Sequence, residues 1–414
     1  MKNYTAKILI FSLLPIALNL FSNDVAESEF SFDKETVCFV PDINTKILKV
    51  GKDKEFKSIR EAAAAATNNC IVEVDAGIYA GDVARWTQDN LIIRTVGGEV
   101  ILDAAGKNMN GMATWVVSGG TICVDGFTFK NSKVPDKNGA GIRHSKGFLT
   151  VRNCRFLNNE NGILTSNDGV STLTVLNSEF GYNGAGDGFS HNIYVGEIAE
   201  FKVSGSWFHH AIEGHLIKTR AKISRIEYNL IADGNDEQST ASYEIDFASG
   251  GIGIVMGNII QQSHNSRNPI IISYAKESKV PWTENELYVS HNTIVNNRPN
   301  TSLVINAPES SAIYRGAFNN VLSENTHFDM KFTDIEISNL YFKTGDLTTE
   351  YVPTKKTHDS FLNKIDEDVD RHLPPNLKTM GISLSPKAEY QHPMETKLLE
   401  KTPKIPGAIQ RLAR

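Results

Sequence analysis

Three short segments of the chain carry many charged and proton-exchanging side chains around a central isoleucine. They read SHNIYVG at 190–196, GHLIKTR at 214–220 and SYEIDFA at 242–248. Histidine, tyrosine, lysine and carboxylate side chains can exchange protons, and arginine can bind a carboxylate through two parallel hydrogen bonds. Together these residue types could remove a proton next to a carboxylate and stabilise the charge that develops. That chemistry requires the three segments to lie side by side.

A repeat in the middle of the chain predicts how the segments are placed. The copies are VDGFTF at 124–129, VRNCRF at 151–156, VLNSEF at 175–180, VSGSWF at 203–208, IEYNLI at 226–231, VMGNII at 255–260, VSHNTI at 289–294 and GAFNNV at 316–321. Measured at the third position, from Gly126 to Phe318, successive copies are 27, 24, 28, 23, 29, 34 and 27 residues apart. Alternating apolar residues indicate strands, and a variable period is typical of stacked coils with turns of different length.

The repeat predicts an all-β fold, a right-handed single-stranded parallel β-helix of about ten coils over residues 48–345. Residues 55–66, EFKSIREAAAAA, are predicted to form an amphipathic N-terminal cap helix, because an open solenoid end would expose unpaired strand edges. Residues 24–47 are expected to form a separate N-terminal segment. The repeat fades after residue 345, and residues 346–414 are expected to form an irregular tail packed on the solenoid.

Alignment on Ile193, Ile217 and Ile245 places the three segments on consecutive coils, ~4.8 Å apart. The predicted outward columns read Tyr194–Lys218–Asp246 and Asn192–Leu216–Glu244, and His191, His215 and Tyr243 stand one residue before the second column. The flanking coils are expected to carry Leu164 and Ile272 at the level of the first column. A polar patch confined to three coils has the size expected of a substrate site.

Such a patch could catalyse β-elimination on a polysaccharide that contains uronic acid. Lys218 is the predicted base, Arg220 is suited to bind the carboxylate, and Tyr194 or His215 could protonate the leaving oxygen. The predicted substrate-binding residues are His191, Asn192, Tyr243, Glu244 and Asp246. Arg220 would favour the neutral amine that a base requires, whereas Asp246 would favour the ammonium form of Lys218.

The sequence identifies no definite cofactor, and calcium is the metal to be considered. The histidine spacing is not specific for zinc. Glu244 and Asp246 carry the oxygen ligands that calcium prefers, and they are the predicted ligands if a calcium ion takes part.

Charge and the N-terminal sequence indicate the partner and the compartment. A net charge of −6 argues against broad nucleic-acid binding but leaves room for a local cationic cluster that binds an acidic polysaccharide. A signal peptide over residues 1–23 is predicted by the basic stretch MKNYTAK and the apolar run ILIFSLLPIALNLF that follows it. The protein is therefore expected to be secreted or periplasmic, with no membrane contact after cleavage. An uncleaved anchor is the alternative, since no A-x-A site follows. We expect a monomer.

The four cysteines show no C-x-x-C spacing. Three of them lie in apolar strand patterns and are predicted to be small core residues, and export would permit Cys38 to pair with Cys70.

The start of the repeat region, a helix followed by CIVEVDAGIY at 70–79 and NLIIRTVGGEVILDAAG at 90–106, resembles that of the pectate-lyase-like superfamily. The resemblance covers roughly residues 48–345. It implies a right-handed β-helix with catalytic side chains stacked on the outside of one sheet, and calcium in several of its lyases.

The motifs of individual groups within this superfamily are incomplete here. GDG at 186–188 and GHLIKTR resemble parts of the polygalacturonase pattern without its paired aspartates. YEIDFASGG at 243–251 resembles a pectin methylesterase motif that would make Asp246 a nucleophile, but no Q-D-T precedes it. The W-x-D-H and R-x-P-x-x-R motifs of the best-known pectate lyases are missing. The combination of Lys218 and Arg220 is similar in kind to the chondroitinase B and alginate lyase group.

The sequence therefore predicts a secreted polysaccharide lyase that acts on an acidic glycan. An epimerase or a hydrolase on the same fold is one alternative. A non-catalytic glycan-binding or surface protein is the other, and it would use the same polar patch as a binding groove.

Overall fold

The computed structural model describes residues 38, 41, 43–277, 281–310, 312–328, 334–343 and 345–411. From Cys38 onward the chain forms one compact unit. The predicted signal peptide and residues 24–37 lie outside the described residues. In the described part of the chain, no helix combines the length and the apolar character needed to cross a membrane.

The chain winds into a right-handed parallel β-helix whose coils add strands to three parallel sheets. This is the fold that the repeat and the resemblance predicted. Sheet 1 contains Lys46–Val50, Cys70–Ile78, Leu91–Asp103, Thr121–Asp125, Phe148–Arg152, Thr172–Leu176, Glu200–Ser204, Ile223–Glu227, Ile252–Met256, Glu286–Ser290, Tyr314–Phe318 and Ile335–Ile337. Sheet 2 begins at the second half of Leu91–Asp103 and continues with Phe127–Lys130, Arg155–Leu157, Glu179–Gly181, Trp207–His209, Leu230–Ala232, Ile259–Gln262, Thr293–Asn296, Val321–Ser323 and Leu340–Phe342. Sheet 3 contains Ala84–Trp86, Ala113–Val117, Ala140–His144, Asn161–Thr165, Ile193–Val195, Ile217–Thr219, Ile245–Phe247, Ile270–Tyr274, Ser302–Asn306 and Thr326–His327.

Inward side chains stack in columns because equivalent residues of successive coils pair in register. Phenylalanines at 129, 156, 180 and 208 form one column in sheet 2, with ring centroids 5.0, 4.8 and 4.8 Å apart. Each ring is fully buried. Burial of one such side chain contributes about 1.5–3 kcal/mol, so these columns stabilise the stack coil by coil.

The turn between sheets 1 and 2 explains the amide and glycine residues of the repeat. One residue of each turn has a positive φ, and these residues are Gly126, Asn153, Asn177, Gly205, Tyr228, Gly257, His291 and Asn319. In the last coil the sequence alignment is wrong by one position. It placed Phe318 in the turn, but Phe318 pairs with Ser290 inside sheet 1. Asn319, not Phe318, therefore occupies the turn.

A ladder of asparagines, all buried except the half-buried Asn339, follows that turn in the later coils. It consists of Asn229, Asn258, Asn292, Asn320 and Asn339. Each Nδ2 atom donates to the Oδ1 atom of the next asparagine, at 3.0, 3.0, 3.0 and 2.8 Å. The ladder satisfies amides that would otherwise be buried without partners, so it fixes the register of these coils.

The N-terminal end of the solenoid is covered by the helix Ile59–Ala65. It is shorter than the predicted span 55–66 because Ser58 and Glu61 form a capping box at its start. Ile59 and Ala62 are buried in the main core, which closes that end of the stack.

The C-terminal tail contains the helices Lys355–Phe361 and Pro375–Thr379, a 3₁₀ turn at Val369–His372, and the antiparallel strands Ala388–Gln391 and Glu395–Leu398. Leu373, Leu377 and Leu384 share an apolar cluster with Ile254 and Tyr288 on the outer face of sheet 1. The tail therefore packs along the outside of the solenoid.

A disulfide bond joins Cys38 to Cys123, and Cys70 and Cys154 are buried free thiols. The considered pairing of Cys38 with Cys70 is therefore wrong. Cys123 faces outward from sheet 1, in a small cluster with Cys38, Ile71 and Ile92, whereas Cys70 lies in the interior.

Candidate active site

The first predicted column of polar residues is present on the outer face of sheet 3. Tyr194 is paired with Lys218, and Lys218 with Asp246, in the parallel ladder. Leu164 precedes Tyr194 as expected. On the other side Asp246 is followed by Ser273. The expectation of Ile272 there is wrong, because Ile272 pairs with the inward-facing residue Ile245.

Lys218 is ion-paired with two carboxylates. Its Nζ atom lies 2.8 Å from Oε1 of Glu277 and 3.7 Å from Oδ2 of Asp246. Glu277 follows the strand Ile270–Tyr274, after a turn in which Ala275 has a φ of 53°. No sequence pattern indicated a role for Glu277, because this turn lies outside the repeat.

Arg220 is held by side chains from three directions. One terminal nitrogen donates to Oε2 of Glu277 at 2.5 Å, and the other donates to Oγ of Ser249 at 3.0 Å. Its Nε atom donates to the hydroxyl oxygen of Tyr194 at 3.1 Å. The indole nitrogen of Trp282 donates to the backbone carbonyl of Arg220 at 3.0 Å. The guanidinium is therefore fixed in position next to Lys218.

Glu277 is the carboxylate on which both cations converge. Partial burial alone would raise the pKa of Glu277, but hydrogen bonds from Lys218 and Arg220 outweigh it and lower that pKa. The Glu277 side chain remains 40% exposed, compared with 12% for Lys218. It therefore lies over Lys218 on the solvent side of the site.

The rings of His191, His215 and Tyr243 form a second stack on the same coils, with centroids 4.6 and 4.7 Å apart. Nδ1 of His191 accepts the backbone N–H of His215 at 2.9 Å, and Nδ1 of His215 accepts that of Tyr243 at 3.3 Å. These contacts assign the ring proton of each neutral histidine to Nε2. Burial, with the charge of Lys218, lowers the pKa of His215 to about 3. Burial and the neighbouring positive groups also lower the pKa of His191.

Asp246 lies beneath the cations and is nearly buried, with 4% exposure. Desolvation raises its pKa to about 6, although Lys218 and a hydrogen bond from Ser273 act in the opposite direction. Nε2 of His215 lies 3.6 Å from Oδ2 of Asp246. A carboxyl group with a pKa near neutrality is suited to proton transfer.

Asn192 and Glu244 were predicted to face outward and to bind substrate, and both expectations about their position are wrong. Asn192 is fully buried, accepts from Nδ2 of Asn183 at 2.8 Å and donates to the backbone carbonyl of His209 at 2.8 Å. Glu244 is also fully buried, and its Oε2 atom accepts from Gln262 at 3.3 Å. Neither side chain can contact a polysaccharide.

Asn192 and Glu244 face inward because they lie just before the start of their strands. Regular strand geometry begins at Ile193 and Ile245, so the alternation of inward and outward residues does not extend back to the residues before them. His191, His215 and Tyr243 nevertheless line the outer face, because the preceding turns direct them there.

The calcium hypothesis does not fit this geometry. Glu244 is directed into the coil and Asp246 away from it, so they cannot share an ion, and calcium needs six to eight oxygen ligands. Among the residues described, no group of three or more histidine, cysteine or acidic side chains converges for a metal.

Comparisons with known proteins give structural likeness only. No protein-family model matches the chain, and no curated protein matches it. The solved structure of pectate lyase Pel9A is 14% identical with a TM-score of 0.49, over 89% of this chain and 98% of that one. Pectin methylesterase in complex with hexasaccharide VII is 14% identical with a TM-score of 0.35, over 80% and 99%. Pectin methylesterase PemA from Erwinia chrysanthemi is 14% identical with a TM-score of 0.33, over 81% and 100%.

Proposed function

We propose that this β-helix protein cleaves a uronate-containing polysaccharide by β-elimination on the outer face of sheet 3. One observation carries the proposal: Lys218 and Arg220 both bind the carboxylate of Glu277, at 2.8 and 2.5 Å. Two cations around one carboxylate form the clasp that a uronate requires. In the bound state the substrate carboxylate takes the place of Glu277, which also uncovers Asp246.

The residues of the site then have distinct roles. Asp246 accepts the proton from the sugar carbon next to the carboxylate. Lys218 and Arg220 stabilise the negative charge that moves onto the substrate carboxylate. The hydroxyl of Tyr194 donates its proton to the glycosidic oxygen as the bond from that oxygen to the sugar breaks. The electron pair of the lost C–H bond forms the double bond of the unsaturated product.

These roles differ from the prediction in two respects. Lys218 was the expected base, but its ion pairs with Glu277 and Asp246 support a charged ammonium that cannot accept a proton. His215 was a candidate acid, but a pKa of about 3 makes it neutral near pH 7. Its Nε2 atom instead lies 3.6 Å from Oδ2 of Asp246, which is longer than a hydrogen bond, and we assign His215 the role of a positioning residue that packs beside Asp246.

Hydrolysis is the second candidate, and one observation favours it. Asp246 and Glu277 both contact Lys218, and their environments raise the pKa of the first and lower that of the second. A protonated and an ionised carboxyl in one site are what glycoside hydrolysis requires.

The test is a digestion of alginate, pectate, chondroitin and glucuronan with purified protein, with and without calcium. Elimination predicts that the ultraviolet absorbance of the new double bond rises together with the reducing ends, in both conditions. Reducing ends without that absorbance would support hydrolysis. Binding without turnover of any polymer would support the non-catalytic alternative.

The compartment belongs to the same proposal. The Cys38–Cys123 disulfide requires an oxidising environment to persist, which supports a secreted or periplasmic protein. Cell fractionation with an antibody against the protein tests this.

A further inference from the structure

Arg143 lies in the same outer column of sheet 3 as Tyr194 and Lys218. The ladder pairs Arg143 with Leu164 and Leu164 with Tyr194. Tyr194 is in turn paired with Lys218, so Arg143 lies three coils from Lys218, or about 14 Å at ~4.8 Å per coil. Leu164 is buried in an apolar cluster on this face, and Tyr194 packs against that cluster. No charged side chain therefore separates the two cations in the column.

The side chain of Arg143 forms no salt bridge and no hydrogen bond with the residues that the structure describes. Its Nε atom is buried without an acceptor in the same part of the chain. Arg94 and Arg152, by contrast, each bind a carboxylate of the preceding coil, at 2.6 and 2.9 Å. Partial burial lowers the pKa of Arg143, and Asp136 on an exposed turn offsets this effect only in part. A half-buried guanidinium without a partner is suited to an anionic ligand.

We propose that Arg143 binds a second carboxylate of the polysaccharide, and that the substrate is a polymer in which consecutive units are uronates. A sugar unit is ~5 Å long, about the spacing of the coils. A glycan that runs along the column therefore places the third unit beyond the one at Lys218 next to Arg143. A polymer that alternates a uronate with an uncharged sugar has no carboxylate at this odd position. The inference rests on the proposed function in placing a uronate at Lys218 and Arg220.

The experiment measures binding to two kinds of polymer by affinity electrophoresis, which requires no turnover. In pectate, alginate and glucuronan every unit is a uronate, whereas unsulfated chondroitin alternates glucuronate with an uncharged N-acetylated sugar. The test variants are Arg143→Gln, which removes the charge, and Arg143→Lys, which keeps the charge but loses the planar guanidinium. The control is Arg60→Gln, which removes one exposed charge from the cap helix. Urea denaturation checks that each variant is folded.

The wild type and the control are expected to bind at least one of the three polyuronates more tightly than chondroitin. Arg143→Gln should weaken that binding ~5-fold, as for the loss of a partly exposed ion pair, and change chondroitin binding less than ~2-fold. Arg143→Lys should give an intermediate loss, and it decides the question if Arg143→Gln does not fold. Tighter binding of chondroitin by the wild type, an equal loss on both kinds of polymer or in the control, no loss in the variants, or binding of no polymer would overturn the inference.

Cleavage of the preferred polyuronate separates this inference from the proposed function. Arg143→Gln is expected to raise KM with kcat nearly unchanged, because Arg143 lies three coils from Lys218. Binding that depends on Arg143 but is not followed by cleavage would leave the subsite in place and contradict the proposed β-elimination. Elimination by Arg143→Gln with an unchanged KM would leave the proposed function in place and contradict the subsite.

Discussion

Lys218 and Glu277 form an ion pair of 2.8 Å that links a strand of sheet 3 to a turn two coils further along the solenoid. Glu277 also binds Arg220, so one carboxylate of the protein occupies the position where two cations could bind an anionic sugar. Each role proposed for the site depends on whether Glu277 is a stand-in for substrate or a catalytic group.

Replacement of Glu277 by glutamine should separate these two roles. If the Glu277 carboxylate competes with substrate, the Glu277→Gln variant should lower KM for the acidic polymer by about three- to fivefold with kcat nearly unchanged, because a half-exposed ion pair is weak. Steady-state kinetics on the polymer identified in the digestion test measures both constants. A collapse of kcat would instead show that Glu277 takes part in the chemistry, as the hydrolytic alternative requires.

Substitutions of Lys218 should show whether this residue acts through its positive charge or as the base. Lys218→Arg keeps the positive charge and should retain activity within about tenfold, since both cations can stabilise a carboxylate. Lys218→Ala should lose about 100-fold or more in kcat, as when one stabilising group of a transition state is removed. Lys222→Ala is the control, because Lys222 is an exposed cation paired with Glu284 at 3.8 Å outside the site. Equal, severe losses in Lys218→Arg and Lys218→Ala would restore the original prediction that Lys218 is the base.

The pH dependence of kcat/KM should report Asp246. Its pKa is raised to about 6, and a base must be ionised to accept a proton. Elimination therefore predicts activity that rises as the pH increases through about 6. The Asp246→Asn variant should lose this rise of activity with pH, together with most of the activity itself. If activity instead fell above pH 6, Asp246 would act as an acid, as in hydrolysis.

His215 should make the folded protein sensitive to acid. Its pKa is about 3 when folded but about 6.5 in an unfolded chain, so below pH 6.5 the unfolded state binds a proton that the folded state excludes. The free energy of unfolding should therefore decrease as the pH falls, by about 2 kcal/mol between pH 7 and pH 5 from this group. Asp246 and Asp233 act in the opposite direction, because burial raises their pKa values to about 6 and about 7.

A variant isolates the histidine contribution from the carboxyl groups. Asparagine at 215 can still accept the backbone N–H of Tyr243 but does not titrate. Urea denaturation of wild type and His215→Asn at both pH values gives the difference. An identical pH dependence in the two proteins would show that His215 is not held neutral.

The sequence predicts which residues of the site lie side by side on sheet 3. It does not predict the further residues that complete the site. Isoleucines 193, 217 and 245 face the core in every coil concerned, so alternation placed Tyr194, Lys218 and Asp246 on one outer column. Alternation fails where a strand has not yet begun, which is why Asn192 and Glu244 face inward.

Glu277, Ser249 and Ser273 reach the site from positions that the repeat does not describe. Ser249 and Glu277 lie in turns, whose course is set by tertiary packing and not by local periodicity. Ser273 does lie in a strand, but alignment of the sequence without the ladder was wrong by one residue and placed Ile272 at its level.

The most direct test of the central claim is the mass balance of one cleavage event. A defined acidic tetrasaccharide from the preferred polymer is digested, and the masses of the two products are measured by mass spectrometry. Elimination predicts product masses that add up to the mass of the substrate, because no water is consumed. Products that together exceed the substrate by one water molecule would contradict β-elimination and establish hydrolysis.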